Sequence, residues 1–421
     1  MSVLVTLLLA TLPWQQSGFA PDAPGWTTWA ARAEIAPGAT VVSSPSLGEP
    51  GALVLSGDGN PAACGEWRRR VDGIEADHWY RLTAHYRTED VPHESWQVLA
   101  RLDWLGTGGA RVGWPDYGYR EGEEEGWKRV TLEAPAPEGA SAVEIQLRLQ
   151  NAPRGTVLWD ALRLEAIPDP GVRPVEVAAV NLRPGDTSSS EEGVKAFVEL
   201  VRARVPGTAD VILLPEGLTV VGSGRTYAEV AEPVPGPTTE VLGALAREKS
   251  AWVVAGLYER EGVAVYNTAV LLDRQGALAG TYRKVYLPRE EIEGGLTPGS
   301  RYPVFTTDFG RVGLMICWDT QYADPARALA LRGAELLLVP IWGGNETLVR
   351  ARAIENRVFV ATSGYDFPTL VVDPDGQSLA RAEDDAGSVA RVTIDLNRRY
   401  LDPWLGDMKG RFPKELRTDV Q

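Results

Sequence analysis

The stretch that decides the fold is RVGLMICWD, residues 311–319, in which an apolar strand runs directly into Cys317. Two other apolar stretches end in the same way, VILLPE at Glu216 and LAGTYRK at Lys284. In α/β sheets the active crevice lies beyond the carboxyl ends of the strands. We therefore expect these three reactive side chains to converge on one site, although they are far apart along the chain.

Around these stretches, apolar runs alternate with amphipathic segments from residue 175 onward. Strands that alternate with helices in this way indicate an α/β layered fold. The sequence predicts strands at 175–181, 210–214, 252–257, 267–273, 280–282, 311–316, 335–339 and 358–363. It predicts helices at 191–204, 238–249, 325–332 and 345–357.

A catalytic cysteine in this part of the chain would have to work without histidine. His78, His85 and His93 all lie in the N-terminal part, which argues against Ser-His-Asp or Cys-His catalysis and against a His-ligated zinc site in the second half. A thiol is a weak nucleophile until it loses its proton, and the remaining base is a buried carboxylate, for which Glu216 is the candidate. An ammonium such as that of Lys284 would stabilise both the thiolate and the oxyanion of a tetrahedral intermediate.

Each of these signals is weak when taken singly. A glutamate or a lysine after a strand is usually a solvated loop residue, and a lone cysteine is more often a buried filler than a nucleophile. The order Glu, Lys, Cys with its flanking sequences is more specific, and it resembles the three catalytic blocks of the nitrilase, or carbon-nitrogen hydrolase, superfamily. The similarity rests on LPE at 214–216, YRK at 282–284, LTPG at 296–299, GLMICWD at 313–319 and the helix ARAIEN at 351–356.

The resemblance implies a fold and a set of roles. The fold would be an α-β-β-α sandwich, usually assembled as a homodimer or a higher homo-oligomer. Glu216 would be the general base and Cys317 the nucleophile. Lys284 would stabilise the oxyanion together with the backbone N–H of Trp318.

A second glutamate commonly follows the lysine in this superfamily. Glu293 is the residue expected here, and Glu290 and Glu291 are close enough to remain alternatives. True nitrilases tend to have Cys-Trp-Glu, whereas Asp319 follows Trp318 in this chain. This departure argues against a nitrile as the substrate.

The predicted function is thiol-dependent hydrolysis of a non-peptide C–N bond in an amide or carbamoyl compound, through a thioester acyl-enzyme. The alternatives are an N-acyltransferase with the same three residues, a glycan-active protein, and a binding protein without catalysis. No cofactor or metal is expected, because no phosphate-binding glycine motif follows a strand and the acidic residues lack calcium-loop spacing. A formal net charge of −15 makes nucleic acid an unsuitable partner.

The N-terminal part follows a different pattern, with short alternating strands between Gly, Pro and Asp turns. Residues 143–150, VEIQLRLQ, alternate apolar and polar side chains, and about eight such segments predict two packed antiparallel sheets. The stretches NPAACGEW at 60–67 and GTVLWDALRLE at 155–165 are similar to carbohydrate-binding-module-like, galactose-binding-like jelly rolls. That resemblance implies carbohydrate as a partner. Core positions are predicted for Trp67, Trp79, Trp96, Trp104 and the small, buried Cys64.

The length of 421 residues and the proline-rich segment at 167–174 predict two domains. The expected order is a signal peptide at 1–20, a β-sandwich at 22–168, a linker at 169–174 and a hydrolase domain at 175–421. The apolar run from Val3 to Leu12 is too short to span a membrane and predicts export, with a mature start near residue 21. If this run is not a signal, the protein is expected in the cytoplasm.

Overall fold

A computed structural model describes residues 14–207, 209–383, 387–417 and 419–420. The run from Val3 to Leu12 lies outside these residues, so export stays a prediction. The described chain forms two compact units. One holds the residues up to Gly171 and those from Arg399 onward, and the other holds Val172–Arg398. Among the described residues, no helix is long and apolar enough to cross a membrane.

The first unit consists mainly of two sheets of antiparallel strands. The sheet orders are β3-β4-β12-β6-β10-β9, with β1 paired to β12, and β2-β5-β11-β7-β8. The strands of these sheets are β1 (Trp14–Gln16), β2 (Thr27–Ala30), β3 (Gly38–Val42), β4 (Ala52–Ser56), β5 (Cys64–Asp72), β6 (Trp79–Glu89), β7 (Val98–Leu105), β8 (Asp116–Tyr117), β9 (Arg120–Glu124), β10 (Trp127–Pro135), β11 (Ala142–Gln150) and β12 (Thr156–Ile167). A short helix, α1 (Glu94–Gln97), precedes β7.

The alternating strand β11 supplies one side of the core between these sheets. Its apolar residues Val143, Ile145, Leu147 and Leu149 are all buried in a hydrophobic cluster to which both sheets contribute side chains. Trp67 and Trp104 lie in the same cluster, which confirms their predicted core positions. Of the other predicted core positions, Trp96 is buried outside this cluster, and Trp79 and Cys64 are only half-buried.

The first strand bears on the predicted mature start. Strand β1 pairs with β12, and the indole of Trp26 donates a hydrogen bond to Gln16 at 3.1 Å. Phe19 is buried and packs edge-on against Trp26. A chain that began near residue 21 would lose this paired strand and its packing.

The second unit contains two sheets of six strands each, ordered β17-β16-β15-β14-β13-β24 and β18-β19-β20-β21-β22-β23. Strand β14 pairs in parallel with β13 and β15, and β20 pairs in parallel with β19 and β21. The strands are β13 (Pro174–Asn181), β14 (Val211–Leu213), β15 (Trp252–Glu261), β16 (Ala264–Leu272), β17 (Leu278–Arg283), β18 (Val304–Thr306), β19 (Arg311–Leu314), β20 (Leu336–Pro340), β21 (Phe359–Ser363), β22 (Thr369–Val372), β23 (Ser378–Ala382) and β24 (Ser388–Asp395).

Helices cover both sheets of this unit. They are α2 (Ser190–Arg204), α3 (Tyr227–Val230), α4 (Pro237–Lys249), α5 (Arg289–Glu293), α6 (Ala323–Leu331) and α7 (Glu346–Asn356). The apolar faces of α2 and α4 pack in one core with the first sheet, and those of α6 and α7 pack in another with the second. Side-chain caps fix two of the helix starts: Ser189 accepts from the N–H of Glu192, and Asn345 accepts from the N–H of Thr347.

The last residues differ from the expected domain limits, because Arg399–Gln421 group with the first unit and not with the second. They form β25 (Leu401–Asp402), β26 (Gly406–Asp407) and α8 (Met408–Glu415). Arg399 forms ion pairs with Asp116 at 2.5 Å and with Asp407 at 2.9 Å. Asp116 also accepts the indole N–H of Trp104 at 2.8 Å. This contact ties the C-terminal segment to the core of the first unit.

Candidate active site

Three strands of the second unit end beside the reactive side chains that the sequence predicted. Glu216 follows β14 after two residues, and Lys284 follows β17 directly. Cys317 follows β19 and begins a single 3₁₀ turn, Cys317–Gln321, with a left-handed backbone conformation (φ +40°). The sequence-based placement of these residues at strand ends is confirmed.

Glu216 and Lys284 meet in a buried cluster with a second glutamate, Glu291. Lys284 Nζ donates hydrogen bonds to Glu216 Oε1 at 2.9 Å and to Glu291 Oε1 at 2.8 Å. Asn267 Nδ2 donates to the same two oxygens, at 2.6 Å and 3.3 Å. All four side chains are buried. The two carboxylates therefore share two donors and face one cation.

Glu293, the expected second glutamate, lies outside this cluster. Its side chain is exposed and forms a 3.9 Å ion pair with Arg289, whereas Glu291 contacts Lys284. A step of two residues turns a helix by about 200°, so Glu291 and Glu293 face opposite ways on α5. The apolar neighbour Ile292, which would normally mark the buried face, is 56% exposed, so the sequence carries no signal for which glutamate contacts Lys284.

Cys317 lies next to this cluster, since the charges of Glu216 and Lys284 both act on its thiol. The thiol donates a hydrogen bond to the carbonyl of Gly343 at 3.3 Å. Burial and the charge of Glu216 raise the pKa of the thiol to about 12, and Lys284 and a backbone hydrogen bond from Trp342 oppose this only in part. Cys317 at rest is thus a neutral thiol that needs a base when it reacts.

The pKa values of Lys284 and of its partner Glu291 are both raised, for different reasons. Burial disfavours the ammonium of Lys284, but the charges of Glu216, Cys317 and Glu291 outweigh it and raise its pKa, so the lysine stays a cation. Burial raises the pKa of Glu291 to about 7, against the opposing effect of Lys284. Glu291 is therefore a weaker acid than an exposed glutamate.

Asp319 connects the loop after Lys284 with the turn that carries Cys317. Its Oδ2 accepts hydrogen bonds from the hydroxyl of Tyr282 at 2.7 Å and from the N–H of Ile316 at 2.9 Å. Its Oδ1 accepts from the N–H of Tyr286 at 2.9 Å. Burial raises the pKa of Asp319 to about 6. Its side chain therefore fixes the position of the loop after Lys284 relative to the turn that carries Cys317.

Sequence reasoning missed two further contacts with Glu216. Tyr365 donates its hydroxyl to the carbonyl of Glu216 at 3.0 Å, and Asn267 binds the carboxylate. Asn267 stands in AVYNTAVLL, a largely apolar strand, and an amide within such a strand was the sequence signal that could have indicated a functional residue.

Trp318, expected to offer its backbone N–H, has a side chain that is 38% exposed. Among the described residues no group of His, Cys, Asp or Glu is arranged to hold a metal ion.

Comparison with known proteins gives matches at the level of family and of individual relatives. The carbon-nitrogen hydrolase family profile matches residues 176–402. The human omega-amidase NIT2 is 29% identical over 268 residues, which cover 56% of this chain and 92% of the relative. The Xenopus laevis omega-amidase NIT2-B is 30% identical over 235 residues, 48% of this chain and 82% of the relative. The crystal structure of an amidase from Nesterenkonia sp. has 25% identity and a TM-score of 0.47, covering 55% of this chain and 95% of that one.

Proposed function

The chain belongs to the carbon-nitrogen hydrolase family, and we propose that Cys317 is the nucleophile with which it hydrolyses an amide or carbamoyl C–N bond. Its relatives make it an amidase-like enzyme. The observation that carries the proposed mechanism is the buried cluster of Glu216, Lys284 and Glu291 beside the thiol. Such a cluster supplies a base and a cation without histidine.

The first half of the reaction forms the acyl-enzyme. Glu216 Oε2 is buried and accepts no hydrogen bond from the described residues, so it is the oxygen free to take the proton of Cys317. The sulfur then attacks the carbonyl carbon, and the C=O electron pair moves to the oxygen. An ammonium has three N–H donors, of which Lys284 uses two on the glutamates. The third is left for the oxyanion, together with the backbone N–H of Trp318.

The second half releases the products. Protonated Glu216 gives its proton to the departing nitrogen, the C–N bond breaks, and a thioester remains on Cys317. Glu216 next takes a proton from water, whose oxygen attacks the thioester. Collapse of this second tetrahedral intermediate breaks the C–S bond and returns the proton to the sulfur. The products are ammonia or an amine together with a carboxylic acid from an amide, or a carbamic acid from a carbamoyl compound.

The test of this mechanism is the pair Cys317→Ala and Cys64→Ala. Cys317→Ala is expected to abolish ammonia release from a panel of aliphatic amides, ω-amides, carbamoyl amino acids and nitriles. Cys64→Ala, in the first unit, is expected to leave release unchanged. Mass spectrometry of the parent enzyme with a slow substrate should reveal an acyl adduct on Cys317. Near-normal release by Cys317→Ala would refute the mechanism.

Acyl transfer is the second candidate within the same chemistry. An amine could replace water in the attack on the thioester, because nothing in the cluster distinguishes the two nucleophiles. Added hydroxylamine would then divert product from the acid to the hydroxamate. The ratio of the two products as the amine concentration rises measures this partition.

The sandwich architecture of each unit, the oligomeric state and the carbohydrate partner are proposals as well. Two helix-covered sheets in the second unit support an α-β-β-α sandwich, and two antiparallel sheets in the first support a jelly roll. Homodimerisation is supported by the exposed apolar side chains Leu331 and Ile354 on α6 and α7. Carbohydrate binding is supported by Trp29 and Trp114, which are exposed in the first unit, and glycan affinity electrophoresis would test it.

A further inference from the structure

Asn267 is a fully buried amide at the centre of the Glu216 cluster, and the reaction as described gives it no role. It lies in β16, and its Nδ2 donates to Oε1 of both Glu216 and Glu291. Lys284 is tied to the same strand, since its backbone N–H donates to the carbonyl of Asn267 at 2.8 Å. One residue thus contacts both carboxylates by its side chain and the lysine by its backbone.

The chemistry of the neighbours fixes the orientation of this amide. An ionised carboxylate only accepts hydrogen bonds, so the NH₂ group of Asn267 has to face the two glutamates. The opposite orientation would place the amide oxygen against two acceptors. The NH₂ group of Asn267 therefore stabilises the ionised carboxylates, which accept its hydrogen bonds, over the protonated acids.

The remaining atom of the amide shows that this arrangement has a cost. Asn267 Oδ1 is buried and has no hydrogen-bond partner among the described residues. A leucine of similar size would bury no polar atom at this position. A buried amide that donates to two carboxylates from a largely apolar strand is expected where a function retains the polar group.

We propose that Asn267 is a positioning residue for the proton transfer, and that its two hydrogen bonds keep Glu216 aligned and ionised so that Oε2 can take the proton of Cys317. This inference rests on the proposed function, in which Glu216 is the base. By holding Oε1, the amide and Lys284 leave Oε2 as the oxygen with no partner among the described residues. Loss of the two Asn267 hydrogen bonds should therefore make the site less active at low pH.

Charged and titratable groups from several elements face this carboxylate. Besides Lys284 after β17, Glu291 on α5 and Cys317 after β19, they are Tyr227 on α3, Tyr258 on β15 and Tyr365 after β21. The three tyrosines have pKa values raised by burial and stay neutral in the working range. Lys284 and Asn267 are hence the groups that favour the charged carboxylates over the acids.

The experiment compares the pH dependence of kcat/KM in the full-length parent and in Asn267→Leu. The variant loses donors to charged groups, so the acidic limb of the profile is expected to move up by about one pH unit. The maximum should fall as well, by about tenfold. The matched control is Asn181→Leu, which removes a buried asparagine from β13 of the same sheet. Asn181→Leu is expected to lower the melting temperature without moving the acidic limb of the pH profile.

Asn267→Asp adds a second test, because a carboxyl group donates a hydrogen bond only while it carries a proton. At low pH this variant should be more active than Asn267→Leu, and the order should reverse as the pH rises, because the ionised carboxylate would face the two glutamates without a donor. Equal activity of the two variants at every pH, or an unmoved acidic limb in Asn267→Leu, would overturn the inference.

Carbon-13 NMR of glutamate side chains separates this inference from the proposed function, because it needs no substrate. Assignment of the cluster resonances uses Glu216→Gln and Glu291→Gln. In Asn267→Leu the cluster carboxyls should take up protons at a higher pH than in the parent. If they do so while Cys317→Ala retains activity, the proposed function fails and the role of Asn267 in ionisation stands. Unchanged titration would refute that role even if Cys317 proves essential.

Discussion

Cys317 keeps its proton at rest because the surrounding protein and the charge of Glu216 both disfavour a thiolate. Many catalytic cysteines rely instead on a lowered pKa next to histidine or a helix N-terminus. In the proposed mechanism the base acts during the attack, so the distance between the thiol and Glu216 Oε2 matters more than the ionisation of the resting thiol. That requirement explains why so many contacts hold Glu216.

The first residue-scale prediction concerns this thiol. Because its pKa is raised to about 12, the ultraviolet difference spectrum between the parent and Cys317→Ser should contain no thiolate band below about pH 10. Cys64 is present in both proteins and cancels in the difference. A thiolate step between pH 6 and about 9 would contradict the neutral-thiol description.

The second residue-scale prediction uses two glutamates of the same helix. Glu291→Gln removes the charge that faces Lys284 and should lower kcat/KM by about tenfold, the value of a charge-assisted hydrogen bond. Glu293→Gln is the control, because its side chain is exposed and should leave kcat/KM unchanged. The reverse ranking of the two variants would restore Glu293 as the functional residue.

At the scale of elements, strands and helices were predictable where periodicity is strong. The helices expected at 191–204 and 238–249 occur at Ser190–Arg204 and Pro237–Lys249, each with an apolar face on the sheet. Glu216, Lys284 and Cys317 were found because each ends an apolar strand. Glu291 and Asn267 were not assigned to the site, since the side-chain direction in a five-residue helix and the depth of one amide depend on tertiary packing.

The element-scale prediction concerns the contact of β15 with the segment that carries Glu216. A Cβ at Gly256 would lie 2.7 Å from the Cα of Glu216, so Gly256→Ala must push the two segments apart. A displacement of this kind should lower kcat/KM by about 10²-fold. Gly185→Ala is the control, because a Cβ there meets no atom within 4 Å and should have no effect. Full activity of Gly256→Ala would mean that the position of Glu216 is not critical.

At the scale of the whole molecule, the proline-rich segment marked the division between the units, but nothing in the sequence predicted the grouping of the C-terminal residues. The pairing of Arg399 with Asp116 joins positions 283 residues apart. Such a contact leaves no pattern in the local sequence, because neither residue lies in a periodic segment from which the other could be predicted as its partner. Only the folded chain brings them together.

The whole-molecule prediction tests this grouping. Arg399→Met leaves the buried Asp116 without its cation and should lower the unfolding free energy of the first unit by about 3 kcal/mol. Arg163→Met removes a half-exposed cation from Glu165 in the same unit, and because Glu165 keeps its ion pair with Arg81 the change should cost less than about 1 kcal/mol. Calorimetry with amidase activity as a second readout checks both. Loss of activity without loss of stability in Arg399→Met would contradict the assignment.

The return of Arg399–Gln421 to the first unit also determines the order in which the molecule can be completed during translation. The ribosome makes the β-rich N-terminal residues first, yet that unit lacks Arg399–Gln421 until the second unit has been synthesised. The hydrolase unit, Val172–Arg398, has all of its residues earlier. The second unit can therefore fold before all residues of the first have been made, so a chain stalled just after Arg398 would contain every residue of the second unit but not of the first.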